Sequence, residues 1–119
     1  MTITLANITF DCRDAALVAR FWAAALDRPV ADGASDGFAS LPARSPGDQQ
    51  WLFLGVPEGK VAKNRMHLDV TAPDRRAEIA RLVELGAEEV DDKDEWGFSW
   101  TIMRDPEGNE FCITDAAAP

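Results

Sequence analysis

The chain holds a single histidine, His67, and two cysteines, Cys12 and Cys112. An imidazole beside a thiol supports two chemistries. It is the start of a site for a borderline divalent metal, which needs about three or four N, O or S donors converging on one point. It is also a nucleophile and its base, provided a nearby positive charge or a helix N-terminus favours the thiolate. Carboxylates are plentiful. Six of them, Glu88, Glu89, Asp91, Asp92, Asp94 and Glu95, crowd one hairpin and read as a solvated, charge-rich loop. Asp11, Asp69 and Glu110 are better placed for acid–base work.

What makes them better placed is strand alternation, since successive side chains point to opposite faces. Over the first strand, expected at residues 3–12, Ile8, Phe10 and Cys12 share a face against Asn7, Thr9 and Asp11. Over residues 66–71, Met66, Leu68 and Val70 oppose His67, Asp69 and Thr71. Over 110–114, Phe111 and Ile113 oppose Glu110, Cys112 and Thr114. Each strand thus has an apolar face for helices and a polar face for solvent or a cleft. A fourth strand near Trp51 breaks the rule: Trp51, Leu52, Phe53 and Leu54 are apolar on both sides, which suits one greasy wall of a ligand site. Cys12 lies on the apolar parity and Cys112 on the polar one, so a bond between them is not expected.

The elements fall into two similar runs. Asp14 is an N-cap for a helix to about Leu26, with Leu17, Val18, Phe21, Trp22 and Ala25 at helical spacing. Asp74 caps a second helix carrying Ile79, Leu82, Val83 and Leu85, with Gly86 at its C-terminal end. Short strands are expected at 29–31, 38–41 and 51–56 in the first run, and at 88–90, 98–103 and 110–114 in the second. Each run then reads β-α-β-β-β. A shift of 60 residues brings Asn7 onto His67 and Asp14 onto Asp74. The fold class is α+β, one domain over 1–119, with module one at about 1–57 and module two at about 62–115.

Composition narrows the function. With 21 Asp and Glu against 12 Lys and Arg, the net charge is −9, which disfavours nucleic acid and anionic membranes as partners. There is no apolar run of about 18 residues and no charged-then-apolar leader in Met1-Thr2-Ile3-Thr4-Leu5. A cytoplasmic protein with reduced cysteines is expected.

The run Asp105-Pro106-Glu107-Gly108-Asn109-Glu110-Phe111-Cys112, a tight turn feeding an alternating strand, resembles the turn before the last ligand strand of the vicinal oxygen chelate superfamily. That superfamily includes glyoxalase I, extradiol dioxygenases and bleomycin-resistance proteins. The helix Ala19-Arg20-Phe21-Trp22-Ala23-Ala24-Ala25-Leu26 is similar to one in its small glyoxalase-like group. The resemblance implies paired βαβββ modules whose curved sheets form a cleft, a small-molecule ligand and a homodimer. It assigns the four metal-ligand positions to Asn7, Leu52 (or Leu54), His67 and Cys112. Leucine cannot ligate and asparagine is a weak ligand, and Asp11, Asp69 and Glu110 are expected to lie a step away along their strands. No cofactor is therefore expected, with His67 and Cys112 the residues a divalent metal would use.

The expected ligand cleft comprises Asn7, Thr9, Asp11, Leu52, His67, Asp69, Trp100, Glu110 and Cys112, with Trp100 able to stack on a planar ligand. No catalytic residue is assigned. The expected function is binding or sequestering a small organic molecule, as in drug resistance. The alternative is a divalent-metal-dependent lyase, isomerase or dioxygenase.

Overall fold

A computed structural model describes residues 4–116. The chain packs as two compact units that divide between Gly59 and Lys60.

The first unit runs β1 (Asn7–Cys12), α1 (Ala15–Leu26), β2 (Phe38–Leu41) and β3 (Gln50–Gly55). Its sheet has the order β1-β3-β2, with β1 and β3 parallel and β2 and β3 antiparallel. Asp14 caps α1 as expected, its Oδ1 accepting from the Leu17 N–H at 3.2 Å. The buried stripe of the helix includes Ala15, Val18, Ala19 and Trp22, so the small alanines let the backbone lie close to the sheet. Leu17, expected on that face, is 43 % exposed because it sits about 200° round the helix from Ala15. Inside, Phe10 packs on Trp22 (ring centroids 5.7 Å) and on Phe53 (5.2 Å), and Trp22 meets Trp51 at 5.4 Å. Trp51 therefore does face the helix, as its parity indicated.

Two expectations for this unit change. The first strand begins at Asn7 rather than at residue 3, which lies outside the described residues. Residues 29–31 form no strand, leaving three strands among the described residues of this unit. Pro29 has no N–H to give to a ladder, and one bond, Ala31 N–H to the Ser40 carbonyl at 3.0 Å, is what ties the segment to β2. The neighbouring loop is held by a side chain instead. Arg28 Nη2 donates to the carbonyls of Leu41, Pro42 and Gln49 at 3.1, 2.9 and 2.9 Å.

The second unit runs β4 (Leu68–Ala72), α2 (Arg75–Glu84), β5 (Glu88–Glu95), β6 (Phe98–Arg104) and β7 (Glu110–Asp115), with sheet order β4-β7-β6-β5. Asp74 caps α2 through the Ala77 N–H at 3.2 Å, the same arrangement as Asp14 sixty residues earlier. Gly86 follows the helix with φ +116°, a left-handed position that glycine takes without strain. Ile79 and Leu82 are buried, but Val83 and Leu85 are 45 and 37 % exposed, so α2 grips its sheet through a narrow apolar strip.

Here the strand at 66–71 is corrected. The ladder starts at Leu68, paired with Phe111, and Met66 before it is 85 % exposed. The acidic run at 88–95 is also corrected. It is a full strand on the sheet edge, paired with β6 from Glu88↔Arg104 to Glu95↔Phe98, with an irregularity at Glu89/Asp91. Its charge keeps an open edge from pairing with another chain. Arg76 on α2 bridges Glu89 (2.7 Å) and Asp92, and Asp92 also accepts from the Thr101 hydroxyl at 2.7 Å. The Thr101 bond, then the bond from Arg76, holds the Asp92 carboxyl below its ordinary range. Among the described residues, no helix is long and apolar enough to cross a membrane.

Candidate functional site

The second unit gathers five of the expected residues. β4 and β7 run parallel with Asp69 opposite Cys112 and Thr71 opposite Thr114, so the polar parities of both strands lie side by side. His67, one residue before β4, keeps that parity. Its Nε2 is 3.4 Å from Asp69 Oδ1. Donor atoms of His67, Asp69 and Cys112 all fall within 4.8 Å of one another. Asp69 therefore belongs to the group rather than a step away, because the parallel register puts it directly across from Cys112.

β6 supplies the wall. Thr101 and Met103 are buried, and the alternate residues Phe98, Trp100 and Ile102 face the other way, Ile102 opposite Cys112 in the ladder to β7. Together with the turn residue Trp96 they line a pocket of about 790 Å³ that also takes in His67, Asp69, Cys112, Thr114 and Lys63. A polar floor of imidazole, carboxylate and thiol thus meets an aromatic wall. Sites for small molecules have this composition, mostly apolar with a few convergent polar groups.

Glu110 lines the same pocket but is committed. Its carboxylate accepts from the Asn64 N–H at 3.1 Å and lies 3.3 Å from Lys60 Nζ, while its carbonyl accepts from Asn64 Nδ2 at 3.0 Å. Burial is the largest single influence and pushes its pKa up. The backbone N–H bonds and Lys60 together outweigh it, so the carboxyl titrates below its ordinary value. An ionised, fully bonded carboxylate fixes the chain before β4 and is poorly suited to shuttle a proton.

Cys112 moves the other way. Burial first, then the Asp69 charge, raises its thiol above the ordinary value, with Lys63 offsetting part of this. The thiol is held protonated, which argues against nucleophilic catalysis. Cys12 is buried with its thiol donating to the Phe10 carbonyl at 3.6 Å, and neither cysteine is in a disulfide.

A metal fits this donor set. One nitrogen, one oxygen and one sulfur suit a borderline ion such as zinc, and leave a position open. The His67 and Asp69 side chains are 45 and 66 % exposed, so an ion can reach both from solvent.

The remaining expected residues lie in the first unit. Asn7, Thr9 and Asp11 occupy the exposed face of β1, with Thr9 opposite Leu52 and Asp11 opposite Leu54 on β3. Leu52 is half-buried and Leu54 is 38 % exposed, so the face is partly apolar, as the pattern indicated.

Eight pocket residues lie outside the expected cleft, among them Lys63, Trp96, Phe98 and Ile102. A signal existed for three of the four named. Phe98 and Ile102 share Trp100's parity, and Trp96-Gly97 is a two-residue link between strands, which marks a hairpin tip.

Residues 7–114 match the family model described as a glyoxalase-like domain. No curated protein sequence matches the chain. Among solved structures, a glyoxalase/bleomycin resistance protein/dioxygenase family enzyme from Burkholderia phytofirmans PsJN aligns with TM-score 0.74 and 15 % identity, over 97 % of this chain and 100 % of that one. Fosfomycin resistance protein FosX from Mesorhizobium loti aligns with TM-score 0.70 and 15 % identity, over 98 and 95 %. The bleomycin-binding protein of Streptomyces verticillus, solved with copper(II)-bleomycin, aligns with TM-score 0.62 and 17 % identity, over 98 and 100 %. At these identities the likeness is one of fold.

Proposed function

The chain belongs to the glyoxalase-like domain family of the vicinal oxygen chelate superfamily, and on that premise we propose that it binds and sequesters a small, flat organic molecule. The observation that carries this reading is the pocket of the second unit, in which Phe98, Trp100 and Ile102 face the polar group His67, Asp69 and Cys112. The aromatic wall would stack on a planar ligand, and the floor would donate and accept hydrogen bonds at its edge. A neutral or cationic ligand is favoured, because the second unit carries eight Lys and Arg against fourteen Asp and Glu. Two of the similar folds are named for antibiotic binding or resistance, which supports the class of ligand without identifying it.

The test is ligand screening against the folded protein, followed by His67→Ala and Trp100→Ala. Both variants fold, and both weaken the best hit by about tenfold, the scale of one stacking or charge-assisted contact. A hit whose affinity ignores both substitutions sinks the reading. Homodimer formation is part of the proposal and is checked by sedimentation at micromolar concentration.

A second reading is favoured by one observation, the convergence of His67, Asp69 and Cys112 within 4.8 Å. These residues would hold a divalent ion, and the ion would supply Lewis acidity to a ligand oxygen. Protein purified without chelator and reloaded with zinc, nickel, manganese or iron(II) decides the matter. Stoichiometric metal that disappears in His67→Ala establishes the chelate reading, and no binding above background removes it.

A further inference from the structure

Trp96 is in an expensive place. β5 and β6 are joined by two residues, since Glu95 pairs directly with Phe98. Both loop residues adopt positive φ, the type I′ turn whose twist matches that of its strands, and Asn-Gly or Gly-Gly fill it without strain. Gly97 at φ +78° is such a residue. Trp96 at φ +53° is not: a bulky side chain in the left-handed region costs of order 1 kcal/mol. Its indole is also 84 % exposed, beside Phe98 at 69 %. Neither cost is offset by packing within the hairpin. Yet Trp96 lines the pocket whose floor is His67, Asp69 and Cys112.

We propose that Trp96 is a specificity-determining ligand contact, held at the hairpin tip so that one face of its ring closes over a flat aromatic ligand lying against Trp100. The inference rests on the reading that this pocket binds such a ligand, and adds to it a residue and a consequence. The left-handed turn places Trp96 at the hairpin tip, past the paired ends of β5 and β6. A positive charge on the ligand strengthens the contact, since a tryptophan face attracts cations. Asp94 and Glu95, at the end of β5 beside the turn, add to the attraction.

The consequence is that binding and stability respond to Trp96 with opposite signs. Asparagine suits the left-handed position, so Trp96→Asn relieves the backbone while removing the ring. The experiment is a fluorescence-anisotropy titration with acriflavine, a planar aromatic cation, alongside thermal unfolding. Trp96→Asn is expected to weaken acriflavine about tenfold and to raise Tm by roughly 4 °C. Trp96→Phe keeps most of the affinity and gains no stability. Trp100→Ala serves as the reference for the pocket itself. If Trp100→Ala loses the probe and Trp96→Asn binds like the parent, Trp96 is not a contact and the pocket reading stands. If Trp96→Asn loses affinity and stability together, its role is structural and the inference fails. A parent that does not bind acriflavine at millimolar concentration overturns the inference and counts against the pocket.

Discussion

The two units treat their aromatic residues in opposite ways. In the first, Trp22, Trp51, Phe21 and Phe53 are 2, 8, 3 and 0 % exposed and stack between α1 and its sheet. In the second, Trp96 and Phe98 are 84 and 69 % exposed, and the buried side is filled by Ile79, Leu82, Met103, Phe111 and Ile113. The helices explain the difference. α1 is rich in alanine and lets large rings fit beneath it, whereas α2, Arg75–Glu84, buries two residues and carries charge elsewhere. Most of the aromatic area in the first unit stabilises the fold, Phe38 being 46 % exposed. In the second unit Phe111 is buried, but Trp96 and Phe98 are left on the surface, where contiguous apolar area marks binding.

The largest effect that would break this comparison concerns Trp22. Trp22→Ala leaves a cavity among Phe10, Phe21 and Trp51 and should cost about 3–5 kcal/mol in chemical denaturation. Trp96→Ala should cost less than about 0.5 kcal/mol in the same assay. Comparable losses would mean that the second unit's aromatics are core after all.

The ends of β3 and β7 sharpen the contrast. Gly55 and Asp115 sit at matching places, opposite Cys12 and Ala72. A Cβ at position 55 would lie 2.6 Å from the Asp36 carbonyl oxygen, which must stay where it is to accept from the Ala15 N–H. Gly55→Ala should therefore cost about 1–3 kcal/mol. Asp115 instead accepts from the Arg75 N–H at 3.1 Å and pairs with the Arg75 guanidinium. Asp115→Ala, at a pair whose carboxylate is half exposed, should cost about 1 kcal/mol or less. Equal effects in urea titration would show that the two ends are not used differently.

A smaller effect is set by Glu110. Its folded pKa lies below the ordinary carboxylate value of 4.5, so the folded state favours the ionised form. The resulting stability is fully present above about pH 4.5 and is lost as pH falls through the depressed value. Glu110→Gln should lower stability at neutral pH by about 1 kcal/mol, through the loss of a charged acceptor for Asn64 and Lys60. It should also flatten the acid limb of the stability profile. An unchanged acid limb would mean that Glu110 is not what ties the 60–64 segment to β7.

Much of this architecture is legible in the chain because it is local. Asp14 and Asp74 announce both helices, and strand parity correctly sorts Cys12 from Cys112 and Trp51 from Leu52. What depends on pairing is not legible. The length of β5 is set by its ladder to β6, so an acidic run that reads as a loop becomes a strand. Asp69 joins His67 and Cys112 only because β4 and β7 are in parallel register, a relation between residues 43 positions apart. Residues 29–31 have strand-like composition but no partner that Pro29 can serve. Trp96 was hidden by its type, since tryptophan is not a residue that turn chemistry selects.

The smallest effect tests the floor of the pocket. With its thiol raised above 9.0 by burial and by Asp69, Cys112 is protonated at pH 8 and should react with iodoacetamide more slowly than an unstructured cysteine. Peptide mapping separates it from Cys12, which at 1 % exposure hardly reacts in the folded protein. Asp69→Asn removes the carboxylate's repulsion of a thiolate, so alkylation of Cys112 should speed up a few-fold at pH 8. Burial, the larger cause, remains, and the rate should still fall short of a free thiol. A parent protein whose Cys112 alkylates faster than a free thiol would mean that Lys63 outweighs both burial and Asp69. The floor would then hold a thiolate beside His67, and the pocket would be equipped for nucleophilic chemistry rather than for binding alone.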